Sequence, residues 1–73
     1  MNQNQIELHR KALTALNNGR YSEAEACASE LIRSDKSLSD AWFFKAMSHA
    51  GRMDLRNAIP SLINALKLSL IHI

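Results

Sequence analysis

From Ile6 onward apolar residues recur at helical spacing. Ile6, Leu13 and Leu16, with Ala12 and Ala15, stand three, four and seven apart and predict a first amphipathic helix. "NNG" at 17–19 ends it, and Gly19 suits the left-handed residue that follows a helix terminus. Ser22 and Glu25 read as an S-x-x-E capping box opening a second helix. That helix is lined with Ala24, Ala26 and Ala28, and its inner face is Ala24, Ala28, Leu31 and Ile32, with Cys27 at the edge. Small residues on one face mean that another backbone comes close. "SDKSLSD" at 34–40 is polar and reads as a loop. A third helix carries Ala41, Trp42, Phe44, Met47 and Ala50 up to Gly51, and a fourth carries Ala58, Leu62, Ala65 and Leu66. No stretch reads as a strand, so the chain is expected to be all-α.

The last helix contains Pro60. A helix capped at Asn57 places it harmlessly in the first turn, whereas one capped at Asp54 loses a hydrogen bond there. A short or bent start is therefore expected. The segment from Leu62 to Ile73 is apolar around most of its circumference and must be covered by something. Its final alternation, L-K-L-S-L then I-H-I, predicts that the end leaves the helix.

The two halves repeat each other. Leu8 matches Trp42, Ala12 matches Ala46, Tyr21 matches Leu55, Ala24 matches Ala58, Ala28 matches Leu62 and Ile32 matches Leu66, each 34 residues on. A helix–turn–helix unit of that period has the tetratricopeptide spacing. "GRYSEAEACASELIRSD" resembles the second half of such a repeat, and "DAWFFKAMSHAGRMDLRNAIPSLINALKLS" resembles a whole one. The resemblance implies one domain over 1–73, with repeats at about 5–38 and 39–72. Its fold would be two antiparallel helix-turn-helix hairpins stacked as a short right-handed superhelix, an α-α solenoid. Ala12 and Ala46 would let each first helix approach Ala24 and Ala58 on the second, since bulkier side chains hold helices beyond the ~8–10 Å of good packing. The chain departs from the family where Ala12 and Ala46 replace a frequent glycine, where Lys36 and Leu70 replace a proline, and where Met53 replaces the turn glycine.

Composition narrows the function. Nine Lys and Arg stand among seven Asp and Glu, for a net charge of +2, and no basic run alternates with aromatics. A nucleic-acid partner is not expected. No apolar run approaches the ~20 residues of a membrane span, and "MNQNQIELHRK" has no apolar core of a secretory signal. With a single cysteine this fits a cytoplasmic location. Seventy-three residues bury only ~60 % of their unfolded surface, near the lower limit for folding alone.

Chemistry has few residues to use. His9, His49 and His72 share no metal-ligand spacing with Cys27 or one another, and only two glycines exist, too few for a phosphate loop. Cys27 beside alanines reads as a packing residue, and the resemblance implies an inter-helix packing position for His49. Glu7 with Arg10 or Lys11 reads as a surface pair, and Glu23, Glu25 and Glu30 as a solvated face. No catalytic, cofactor or metal site is expected, and the chain is read as a non-enzyme.

Binding remains. The resemblance implies an inner surface built from the first helix of each repeat: Ile6, His9, Leu13, Leu16 and Asn17, then Asp40, Phe43, Lys45, Met47 and Ala50. Some family members grip a chaperone's C-terminal carboxylate with Lys and Asn, but His9, Leu13 and Phe44 stand at those places here. The expected groove is His9, Leu13, Leu16, Asn17, Phe43, Met47 and Ala50, apolar enough for a peptide or helix of a partner protein. Repeat arrays usually have three or more units and a polar cap, and two units are present here. Ile59, Ile63, Leu66 and Leu70 are therefore expected to meet a second copy, as a homodimer, or further repeats. The alternatives are a scaffold piece of a longer multi-repeat or repeat-plus-transferase protein, and a small secretion chaperone of the same repeat type.

Overall fold

A computed structural model of the chain describes residues 2–71. Four helices follow one another: α1 (Gln3–Asn17), α2 (Tyr21–Ser34), α3 (Ser39–Gly51) and α4 (Leu55–Ile71). The described residues include no strand, and the fold is all-α. Each helix packs on the next in sequence, and α1 also touches α3. Among the described residues α4 packs on α3 alone. The L-K-L-S-L stretch, expected to leave the helix, stays within α4, and His72 and Ile73 lie outside the described residues.

The helix boundaries follow from local hydrogen bonding. Asn2 and Gln5 form a reciprocal capping box: the Gln5 amide donates to Asn2 Oδ1 at 2.8 Å, and the Asn2 amide donates to Gln5 Oε1 at 2.9 Å. After α1, Gly19 sits at φ 73°, the Arg20 amide reaches the Ala15 carbonyl at 2.8 Å and the Gly19 amide reaches Leu16 at 3.1 Å. This is a Schellman motif. Thirty-four residues later it recurs. Met53 sits at φ 61°, the Asp54 amide reaches His49 at 2.7 Å and the Met53 amide reaches Ala50 at 2.9 Å.

Three expectations about boundaries are corrected. Ser22 and Glu25 form no capping box, because α2 already begins at Tyr21 and its N-cap, Arg20, makes no side-chain bond. The turn closes on Arg20 through its backbone, so the helix starts one residue before the serine can cap it. The loop is four residues, 35–38, since Ser34 ends α2 and Ser39 starts α3. Ser37 closes it by donating its amide and hydroxyl to Asp35 Oδ1 at 2.9 and 2.6 Å. Finally, α4 starts at Leu55 rather than later, with Pro60 inside it, and runs to Ile71. The Schellman turn delivers the chain in helical register at once, and the Ala58 amide bonds the Asp54 carbonyl at 3.1 Å. Pro60 has no amide to donate to Arg56, but it is solvent-exposed, so water can reach the carbonyl left free.

The centre is made of small residues. Ala12, Ala24 and Ala28 are wholly buried, and Ala46, Ala58 and Ala65 nearly so. Ala12, Ala28 and Phe44 form one cluster, with Leu16 and Cys27 partly covering it. Ala26 points to solvent, so only Ala24 and Ala28 of the alanine run face inward. On α4 the inward face is Ala58, Ser61 and Ala65, not Leu62 and Leu66, which are exposed. A close approach to α3 leaves room only for side chains of that size.

Candidate functional site

Beside this alanine-filled seam, α1 and α3 leave a concavity of about 480 Å³. Leu13, Leu16 and Asn17 line one wall and Phe43, Met47 and Ala50 the other. These are six of the seven groove positions expected from the sequence. Leu13, Phe43 and Met47 are each nearly half exposed, at 46, 46 and 44 %. They present apolar surface to solvent around the concavity.

His9 is placed elsewhere. It lines a neighbouring hollow of about 230 Å³ with Leu31, Leu38, Asp40 and Ala41. Its Nε2 lies 3.3 Å from Asp40 Oδ2, and its ring meets Phe44 edge-on at 4.8 Å between centroids. Phe44 thus separates His9 from the trough, touching both.

Two residues absent from the expected set close the trough at one end. Tyr21, at the start of α2, lies over Gly51, the last residue of α3, and both line the concavity. A Cβ on Gly51 would fall 2.5 Å from Tyr21 Cδ1 and 2.6 Å from Cζ, so the ring is seated on bare backbone. A glycine ending a helix usually signals chain reversal; here it makes room for an aromatic ring.

A polar network ties the same end together. Arg52 donates to the Glu25 carboxylate, to His49 Nδ1 at 3.1 Å and to Ser22 Oγ at 3.4 Å. His49 is buried, with Glu25 Oε1 3.8 Å from its Nε2 and Asp54 Oδ2 3.6 Å from its Nδ1. Glu25 is therefore half-buried and engaged, not part of a solvated face. His49, Ser48 and Ser61 are buried polar residues that the apolar pattern does not reveal; the Ser48 hydroxyl donates to the Phe44 carbonyl at 2.8 Å.

Other side chains are held by neighbours on their own helix or loop. Glu7 takes two bonds from Arg10, at 2.7 and 2.8 Å, which hold its carboxyl below the usual range. The Trp42 indole donates to the Lys36 carbonyl at 3.0 Å, and Lys45 Nζ sits 5.7 Å from its ring centre. Burial, followed by the charge of Glu23, pushes the Cys27 thiol up, away from the thiolate a nucleophile needs. Among the described residues, no group of three His, Cys, Asp or Glu is placed to hold a metal ion. No helix there is long and apolar enough to cross a membrane.

Ile59, Ile63, Leu66 and Leu70 all lie on α4 and are exposed at 56, 46, 57 and 69 %. They are not part of the trough. No protein-family model, curated protein or solved structure matches the chain.

Proposed function

We propose that the chain is a two-repeat module of tetratricopeptide type that binds an apolar segment of a partner protein in the trough between α1 and α3. It works by binding and carries no chemistry of its own. The repeat reading is supported by the Schellman turn that recurs at the same 34-residue interval as the sequence match. It is also supported by the order of contacts, in which α3 meets both helices that precede it.

One observation carries the binding reading. Leu13, Phe43 and Met47 stay half exposed around one concavity although each is large enough to anchor a core. An amphipathic helix offering side chains at i, i+3, i+4 and i+7 fits such a trough. An acidic C-terminal tail does not, because no lysine or arginine lines it.

Native co-purification followed by mass spectrometry tests this. The unmodified chain should retain one stoichiometric partner, and Phe43→Ala with Met47→Ala should lose it. Glu30→Ala and Lys67→Ala, at exposed positions outside the trough, should retain it. Equal retention by the double variant refutes the trough as the site.

A further inference from the structure

A further hollow, of about 270 Å³, lies where the 35–38 loop, α3 and α4 meet. Lys36, Trp42, Asn64, Lys67 and Leu68 line it, and none of them lines the trough between α1 and α3. The Trp42 ring is held in place. Its indole donates to the Lys36 carbonyl at 3.0 Å, which ties α3 to the loop, and Lys45 Nζ lies 5.7 Å from the ring centre. Asn64 and Leu68 are half-buried, unlike the exposed Ile59, Ile63, Leu66 and Leu70 of the same helix.

The charge around this hollow is of one sign. The chain has four lysines and one tryptophan, and three of the lysines, Lys36, Lys45 and Lys67, line the hollow or sit on its tryptophan. None of the three is in an ion pair among the described residues, whereas Arg10, Arg20 and Arg52 are each paired with a glutamate. No Asp or Glu lines the hollow. Asp35, beside Lys36, is turned to the Ser37 amide and hydroxyl, and Asp40, two residues before Trp42, is turned to His9. Asn64 adds an amide that can donate.

We infer that this hollow binds a small free molecule made of a planar aromatic ring and a phosphate. The indole and Leu68 offer the ring an aromatic and an aliphatic surface, and stacking on an aromatic side chain is open to any flat ring. Lys36 and Lys67, one from the loop and one from α4, bring two ammonium groups to the phosphate. A phosphate monoester carries about −1.5 to −2 charges at neutral pH, which two ammoniums match. Lysine meets phosphate as a point charge, whereas a carboxylate is matched better by the paired donors of arginine, and no arginine lines the hollow. At about 270 Å³ the space is too small for a helix, whose side chains span ~10–12 Å, so the occupant differs in kind from that of the trough.

Trp42 is a built-in reporter, because a single tryptophan gives a single indole N–H resonance in a nitrogen–proton correlation spectrum. Titration with phenyl phosphate should shift that resonance saturably. Phenol alone and inorganic phosphate alone should each bind at least about tenfold more weakly, since each keeps one half of the recognition. Lys36→Gln and Lys67→Gln should each weaken phenyl phosphate about tenfold and leave phenol unchanged. Both side chains are exposed, so these variants should keep their helical circular dichroism. Lys11→Gln, which removes the lysine away from the hollow, should change nothing. Added salt should weaken phenyl phosphate and spare phenol. No saturable shift at millimolar phenyl phosphate overturns the inference, as does equal binding of phenol or of inorganic phosphate, or affinity unmoved by both lysine substitutions. A tyrosine-phosphorylated peptide that binds tenfold tighter than phenyl phosphate assigns the hollow to a partner protein and overturns the free ligand.

Discussion

The two helix-ending turns offer a matched pair of substitutions. Gly19 and Met53 occupy the same place in the same motif, with φ at 73° and 61°. A residue with a Cβ in this conformation costs ~1–2 kcal/mol, and glycine returns ~0.5–1 kcal/mol of that through its larger unfolded-state entropy. Met53 is 87 % exposed, so its side chain contributes almost no burial to set against the strain. Met53→Gly should therefore stabilise the fold by ~0.5–1 kcal/mol. Gly19→Ala is the reverse experiment: a Cβ there meets nothing within 4 Å, so the cost is backbone strain alone. It should destabilise by about 1 kcal/mol. Urea unfolding followed by circular dichroism, at one fixed protein concentration so that association does not shift the midpoint, reads both values. The denaturant slope should not change. A lower midpoint for Met53→Gly, or a higher one for Gly19→Ala, refutes the account of these turns.

The alanine seam should resist enlargement: Ala12→Leu and Ala58→Leu should each destabilise by ~1–3 kcal/mol through overpacking, with wholly buried Ala12 at the upper end. Unchanged chemical denaturation for both would remove the close helix approach from the argument. Acid should weaken the fold through Asp35 and Asp54, whose carboxyls are held low chiefly by side-chain bonds from Ser37 and Asn57. A group depressed in the folded state contributes stability above its unfolded value and loses it as pH falls through the folded one, so the loss should set in below about pH 4. Asn57→Ala should make the acid limb of a stability-against-pH curve shallower, and an identical limb would exclude Asp54 as a contributor.

Much of this architecture is legible in the residues. Helical periodicity and Gly19 place the first three helices; Met53, read as a departure because it replaces the turn glycine, takes the left-handed conformation all the same. Six groove positions implied by the repeat resemblance line one concavity, with Leu13, Leu16 and Asn17 on one side of α1 and Phe43, Met47 and Ala50 on α3. Failures came where a local motif competed with the turn before it. Ser22 and Glu25 fit a capping pattern, but a Schellman turn had already fixed where α2 begins, which freed Glu25 for Arg52. Pro60 argued for a later start of α4, and the same turn at Met53 overrode it. Hydrophobic period also set Leu62 in line with Ala58 and Ala65, whereas the structure leaves it exposed, because the inner face of α4 is chosen by size rather than by apolar character. Tyr21 over Gly51 had no signal in either residue alone; only the folded chain brings them together.

Eight of the ten buried apolar residues among those described are alanine. Such a centre removes little hydrocarbon from water per helix contact, while the backbone it brings together is as polar as any other. Unfolding then exposes an unusually low ratio of apolar to polar surface. Heat capacity responds to the two with opposite sign, so its rise per residue should fall below the ~12–15 cal/mol/K of ordinary domains. A small heat-capacity change flattens the dependence of stability on temperature and moves cold denaturation further down. The fold is therefore built for a modest stability that varies little with temperature, which is the thermal consequence of letting helices touch through methyl groups.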